Sequence, residues 1–420
     1  MNPIVPPATV GMLGGGQLGK YALTAANAMG YRTIVLDPDA AAPSGVVADA
    51  HLVAPYDDPL ALARLEESCD VVTTEFENPP ASALARLAEI THVAPSPSAV
   101  AVAQDRIVEK RFLADNGFPI GPFVVLADDE DVSDAELADI VEDGAVLKSA
   151  RFGYDGKGQR RVHSVDELHL AWDDLDGVDC VVEAALDLRT ELSVLVARTF
   201  DAREVTWPVA ENHHADGILD VSVVPAQVDD VLADRAIGVA MAIADALDYV
   251  GVLAVEFFVV ADADGNDDLL VNELAPRPHN SGHWTLDASV TSQFEQQIRA
   301  VCGVGLADTS MTAPAVAMVN LLGDLWFDGP ASGPDDAVEP DWTVVLADPH
   351  ATLHLYGKTT PRPGRKMGHV TVTADTPERA RQRAVELRAA TRGPVDHDTV
   401  DDTLVWDPDD TPVSDPGPDA

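Results

Sequence analysis

Two glutamates and a polar loop carry the strongest chemical signal in this chain. Residues 253–260 read as an apolar strand containing Glu256, and residues 269–274 as another containing Asn272 and Glu273. Asp264-Gly265 between them is a strong hairpin signal, and folding symmetrically about it sets Glu256 opposite Glu273. Facing Cβ atoms in such a pair lie about 4.5–5.5 Å apart, and two ionised carboxylates there repel by roughly 3 kcal/mol at an effective dielectric of about 20. A divalent cation removes that penalty, and Mg²⁺ is the usual choice for carboxylates that work with phosphates. The second strand then runs into Ala275-Pro276-Arg277-Pro278-His279-Asn280-Ser281-Gly282-His283-Trp284. These polar groups would lack partners in a buried strand, so the segment reads as a rigid binding loop. The plainer alternative, a solvated strand face with a coincidental acidic pair, leaves that loop unexplained.

Three further segments suit anions. Gly14-x-Gly16-x-x-Gly19 follows a short apolar strand and precedes Asp37 by eighteen residues from its last glycine. That fits a dinucleotide fingerprint, a generic anion loop at a helix N-terminus, or a structural turn. Arg151-Phe152-Gly153-Tyr154-Asp155-Gly156-Lys157-Gly158-Gln159, after Lys148 at a strand end, reads as a flap whose amides and cations close over a triphosphate; an exposed hairpin turn is the alternative. Tyr356-Gly357-Lys358 and Arg362-Pro363-Gly364-Arg365-Lys366-Met367-Gly368-His369 form the densest cationic patch. They suit a phosphate ester or simply make a solvated basic loop. Glu183, Glu191 and His213-His214 are unremarkable on their own.

The elements that must position these groups follow from periodicity. Strands at 9–13, 31–36 and 70–74 alternate with helices, which predicts a parallel, doubly wound first domain over residues 1–105. Strands at 145–148 and 180–183 around a helix at 164–175 predict a small α+β lid within about 120–185. Further strands, a helix at 229–247, the carboxylate hairpin and a helix at 290–301 complete a domain over 106–305. Strands at 315–320, 351–356 and 369–373 and a helix at 377–392 make a β-rich section over 306–392. Residues 393–420, rich in Asp and Pro, read as a disordered acidic tail.

Composition narrows the setting. With 27 Lys+Arg against 71 Asp+Glu, the formal charge is −44, spread along the length. Such a surface suits molar salt, where the Debye length is about 3 Å, so a halophilic cytoplasmic protein is expected. It disfavours nucleic acid as a partner. Six lysines remain, and only Lys110 has no evident context. Cys69, Cys180 and Cys302 suggest neither a disulfide framework nor a zinc site. No signal peptide and no membrane span are expected.

In order along residues 8–390, these motifs resemble the ATP-grasp superfamily. Within it they resemble the 5-(carboxyamino)imidazole ribonucleotide synthase family. The most specific stretches are Gly15-Gly16-Gln17-Leu18-Gly19, Glu75-Phe76-Glu77-Asn78, the flap at 153–159, residues 272–284 and residues 363–369. The resemblance implies an ATP-grasp fold with an N-terminal Rossmann-like domain and a small C-terminal β-rich domain. It implies carboxylation of 5-aminoimidazole ribonucleotide by ATP and bicarbonate through carboxyphosphate, in purine biosynthesis, by a homodimer. ATP would meet Arg106, Lys148, flap residues Gly153, Tyr154, Asp155, Gly156, Lys157, Gly158 and Gln159, the hinge Glu183-Ala184-Ala185-Leu186, Glu191, His214, Asn272 and Glu273. Glu256 and Glu273 would hold Mg²⁺. By analogy with the related formate-using transformylase, Gln17, Leu18, Glu75, Asn280, Ser281, Lys358, Arg365 and Lys366 would bind the ribonucleotide. Lys366 stands where that relative has arginine, keeping the charge but losing the bidentate fork. Arg277 would steady the mixed anhydride, and Glu75 or His283 would accept the amine's proton. The rivals are that transformylase and, on the first glycine loop alone, a nicotinamide-dependent oxidoreductase.

Overall fold

The computed structural model describes residues 2–127, 132–151, 153, 158–262, 264–327 and 336–392. The first five strands, β1 (Thr9–Leu13), β2 (Arg32–Leu36), β3 (Ala50–Leu52), β4 (Val71–Thr74) and β5 (His92–Val93), form one sheet. Its order is β3-β2-β1-β4-β5 and every pairing is parallel. All five residues of β1 are buried, as expected for a central strand covered on both faces. The helix Gln17–Ala28 turns Leu18, Ala22, Leu23 and Ala26 inward, one apolar stripe at helical spacing. These side chains join Val10 and Met12 from β1 and Phe294 and Ile298 from the helix Gln293–Val301 in one core.

A second sheet, β6 (Phe123–Leu126), β7 (Ala145–Ser149), β8 (Gln159–Val162) and β9 (Cys180–Ala184), is antiparallel in the order β6-β9-β7-β8. It packs Leu126, Leu147 and Val182 against Leu137 and Leu168 from two short helices.

The third sheet contains β10 (Leu188–Arg198), β11 (Glu204–Thr206), β12 (Ala210–Ala215), β13 (Ile218–Val224), β14 (Gly251–Ala261), β15 (Asp267–Ala275), β16 (Ala315–Leu322), β17 (Ala351–Leu355) and β18 (Lys366–Ala374). Its order is β15-β14-β10-β12-β13-β16-β18-β17, with β11 against β10. The C-terminal strands are therefore not a detached sheet. They continue this one through β13 and β16, where Val221 faces Val319 and Val224 faces Val316. That join brings the basic 356–366 loop into the same cleft as the carboxylate hairpin.

The hairpin differs from expectation in an instructive way. Asp262 N–H donates to Asn266 O at 2.8 Å and Gly265 N–H to Asp262 O at 3.0 Å. The turn is thus not the two-residue one predicted; Gly265, at φ +84°, supplies the left-handed residue that closes a three-residue loop. This shifts the register by one through Phe257↔Val271, and an irregularity at Asn272 restores it, so Glu256 still faces Glu273. A β-bulge is a usual device for aiming side chains at a site.

Candidate active site

The three sheets enclose a cleft of about 1220 Å³. Glu256 and Glu273 reach it from adjacent strands. Burial, then the facing Glu273, pushes the Glu256 carboxyl up to about 7. Burial acts the same way on Glu273, but Arg106 and Lys148 outweigh it and hold Glu273 low, at about 2. Arg106 Nη1 lies 2.9 Å from Glu273 Oε2. Asn272 shares the cleft, and its Oδ1 is buried without a partner. Two carboxylates and an orphaned amide oxygen form a hard-oxygen donor set that fits Mg²⁺.

Beside this pair, Lys148 and Lys110 lie 3.1 and 3.3 Å from the same Glu183 oxygen, while Glu183 Oε1 has no partner. The amides of Ala184 and Ala185 are already donated to Pro122 O and Gly144 O, which leaves the hinge's carbonyl edge and Leu186 for a ligand. His214 Nδ1 lies 2.6 Å from Glu191 Oε2. Burial lowers the His214 pKa, but Glu191 more than reverses this and raises it. Gly153 and Gln159 line the cleft. Gly158, at φ +72°, is not in the lining; Tyr154, Asp155, Gly156 and Lys157 lie outside the described residues.

Across the cleft, the first glycine loop is filled by the protein itself. Glu75 accepts from Gly16 N–H at 2.5 Å and Gly19 N–H at 2.9 Å, and a Cβ on Gly16 would meet Glu75 Oε1 at 2.4 Å. Asp37, the acid of the dinucleotide fingerprint, accepts from Gly15 N–H and Tyr56 Oη, each at 2.7 Å. A pyrophosphate and a ribose would find both positions taken. Gln17, Leu18 and Glu75 still line the cleft.

The polar loop is fastened by Gln293, which accepts from His279 N–H at 2.8 Å and donates to His279 O at 2.7 Å. Arg277 Nε donates to Glu77 Oε2 at 2.5 Å. His279 Nε2 lies 3.4 Å from Glu256, and burial, then Arg277, holds its pKa well below the usual value. Asn280 lines the cleft, with both amide atoms buried and unpartnered. Lys358, Arg365 and Lys366 complete the far wall, with Lys358 Nζ donating to Lys366 O at 2.8 Å.

Two expected site residues of the polar loop sit elsewhere. Ser281 is buried and spends its hydroxyl on Ser193 and His279. His283 is 0% exposed, outside the lining, and burial drives its pKa far down; it cannot reach the amine of a ligand in the cleft. The 3₁₀ turn Asn280–Gly282 advances about a third of a turn per residue, so Ser281 points away from the face that Asn280 presents to the cleft. Sequence reasoning missed Lys110, Glu109, Glu77 and His279 as site residues. Lys110 was legible as a lysine retained without evident reason; Glu109 gave no signal.

Comparison with known proteins agrees with this geometry. The model for the ribonucleotide synthetase preATP-grasp domain matches residues 7–104, and that for the ATP-grasp domain matches residues 111–294. The model for the phosphoribosylaminoimidazole carboxylase C-terminal domain matches residues 316–383. The N5-carboxyaminoimidazole ribonucleotide synthase of Brucella melitensis is 45% identical over 368 residues, covering 87% of this chain and 96% of that one. The chain belongs to the N5-carboxyaminoimidazole ribonucleotide synthase family. A solved synthetase of this family in complex with ADP superposes with a TM-score of 0.81 at 38% identity, over 92% of this chain and 98% of that one. The Aspergillus clavatus synthase, solved with ADP and 5-aminoimidazole ribonucleotide, gives 0.78 at 30% identity, over 91% and 98%. The members of this family are ATP-grasp ligases, which sets aside the reading as a nicotinamide-dependent oxidoreductase. Among the described residues no helix is long and apolar enough to cross a membrane.

Proposed function

We propose that this cleft carboxylates the amine of 5-aminoimidazole ribonucleotide with ATP and bicarbonate, yielding the N-carboxylated ribonucleotide, ADP and phosphate for purine biosynthesis. The observation that carries the reading is Glu256 facing Glu273, with Asn272 Oδ1 unpartnered beside them. In this reading adenine packs on the 183–186 hinge, Glu191 takes ribose hydroxyls, and His214 braces Glu191. The phosphates run beneath the 153–159 flap to Arg106 and Lys148. Both cations are held by carboxylates, and the anionic oxygens of the phosphates would compete for them. Glu256, Glu273 and Asn272 would hold Mg²⁺, which when bound draws negative charge from the β- and γ-phosphates.

A bicarbonate oxygen attacks the γ-phosphorus in line as the bond to ADP breaks, giving carboxyphosphate. Arg277, oriented by Glu77, faces that mixed anhydride. Lys358, Arg365 and Lys366 take the ribonucleotide's phosphate, and Gln17, Leu18 and Asn280 meet its remainder. The amine nitrogen then bonds to the carboxyl carbon as the carbon–oxygen bond to phosphate breaks, directly or through CO₂ released within the closed site. Glu75 is the acceptor we assign for the amine's proton. Closure must exclude water, since the anhydride hydrolyses readily. We further infer that the enzyme works as a cytoplasmic homodimer in a salt-rich cell, from its family and acidity.

The test is ADP release in high KCl with each substrate omitted in turn, using labelled bicarbonate or formate. Dependence on ribonucleotide and bicarbonate, with bicarbonate label in the product, is expected. Formate incorporation, or ADP release indifferent to the ribonucleotide, would overturn the assignment.

A further inference from the structure

Behind the wall of the cleft lies a stack of three imidazoles that the reaction does not use. His354 and His369 face each other across β17 and β18, with ring centroids 4.4 Å apart and planes at 15°. His283 also stacks on His369, with centroids 4.7 Å apart and planes at 26°. Tyr21 meets all three rings edge-on at 5.7–6.2 Å. Tyr356 Oη lies 3.0 Å from His369 Nδ1. His283, His369 and Tyr356 are fully buried, and burial holds both of those histidines well below their usual pKa, so their rings stack as neutral groups.

Asp287, His354 and His369 bring possible metal donors within 4.8 Å of one another. Rings this close to parallel, however, cannot both hold one ion in their planes. His354 Nε2 also already spends its proton on Asp287, at 2.9 and 3.1 Å from the two oxygens. The cluster therefore reads as a joint. Tyr21 lies one helical turn beyond Gln17 and Leu18, and His283 follows Asn280 by three residues. Tyr356 precedes Lys358 by two residues, and His369 follows Lys366 by three. Lys20 Nζ adds a bond to Tyr356 O at 3.2 Å. Every segment that supplies a proposed ribonucleotide contact, apart from that of Glu75, is anchored in this one stack.

We infer that His354 and Asp287 are positioning residues for the ribonucleotide site: their hydrogen bond fastens the basic 356–366 loop to the 278–288 segment, and the stack sets both against the helix Gln17–Ala28. This rests on the ribonucleotide-binding reading of the cleft given above. In that reading ATP meets β7, β9, β10, β14 and β15, none of which carries His354 or Asp287, so the tie acts chiefly on the ribonucleotide.

The experiment compares His354→Leu, Asp287→Ala and Asp287→Asn in the full chain, varying ribonucleotide and ATP separately and recording thermal midpoints. The first two variants raise KM for 5-aminoimidazole ribonucleotide roughly tenfold, the scale of one hydrogen bond to a charged group. KM for ATP stays within about twofold. Asp287→Asn, whose Oδ1 still accepts from His354, stays near wild type. Equal rises in both KM values, Asn as damaging as Ala, or unchanged ribonucleotide KM in Asp287→Ala would each overturn the inference. If His354→Leu fails to fold, Asp287→Ala decides, because it opens no gap in the stack. Calorimetric titration of the ribonucleotide reads the same tie without turnover. Absence of carboxylated product from the wild type would therefore count against the assigned reaction and not against the joint.

Discussion

Lys110 Nζ donates to the backbone carbonyl of Asn272 at 3.0 Å, pinning the irregular residue that restores the Glu256–Glu273 register. The same ammonium lies 3.3 Å from Glu183 and is 1% exposed. Replacing it with an apolar residue frees the bulge and removes one of two cations from Glu183. Lys110→Met should weaken half-saturation by Mg²⁺ in ADP release by roughly 10–100-fold, as losses behind metal ligands usually do. A folded variant with unaltered Mg²⁺ dependence would show that the bulge holds its shape unaided.

If the facing glutamates share Mg²⁺ as proposed, its binding should depend on pH. Glu256 titrates at about 7, against 4.5 for an ordinary glutamate. Between those values the native chain binds a proton that the unfolded chain does not, so the metal-free protein loses stability as pH rises through that window. Mg²⁺ competes with that proton, so the thermal shift produced by Mg²⁺ and an ATP analogue should grow from about pH 5.5 to about pH 8. In Glu256→Gln this growth should vanish. A wild-type shift that is flat with pH would contradict a cation shared by the pair.

The architecture was legible where periodicity is strong. Strands β1, β2 and β4 of the first sheet, β7 and β9 of the second and the helices at 165–173 and 230–246 came from runs whose apolar spacing has one good solution, whereas the short β3 and β5 and the strands β6 and β8 did not. The facing of Glu256 and Glu273 was also legible, but for an incomplete reason. The predicted two-residue turn and the actual loop differ by one in register, and the irregularity at Asn272 cancels the difference. Bulges have no local spelling in sequence. Nor does the β13–β16 join, which pairs strands about ninety residues apart. His283 misled because a polar loop reads as uniformly exposed, whereas here Ser281 and His283 are buried behind the residues that line the cleft. Glu109, with burial pushing its carboxyl up to about 8 and one oxygen accepting from Leu274 N–H, gave no signal, because a lone glutamate on a helix is ordinary.

Glu75 holds the first glycine loop, so its removal should be felt by one substrate. Glu75→Gln must turn an NH₂ toward Gly16 or Gly19, setting donor against donor at a partly buried site, a loss of about 1–3 kcal/mol. The expected result is a higher KM for the ribonucleotide, as Gln17 and Leu18 shift with the loop, and a lower kcat, because the assigned proton acceptor is gone, with KM for ATP little changed. Calorimetry of the wild type with NAD should show no binding, since Glu75 and Asp37 occupy the phosphate and ribose positions. Saturable NAD binding displaced by none of the substrates would undo this account of the loop.

The charge of −44 should make folding depend on salt more than any single ion pair does. At about 0.1 M the Debye length is about 10 Å, so neighbouring surface carboxylates repel one another; at about 1 M it falls to about 3 Å and that repulsion is largely screened. The buried contacts of Lys110 and Lys148 with Glu183 lie out of reach of such screening. Raising KCl from about 0.1 to 2 M should therefore raise the thermal midpoint without weakening the cleft's internal pairs, and ADP release should be retained or increased. A midpoint that falls with KCl while an uncharged osmolyte raises it would mean that attractive surface pairs, and not repulsion between carboxylates, dominate this surface.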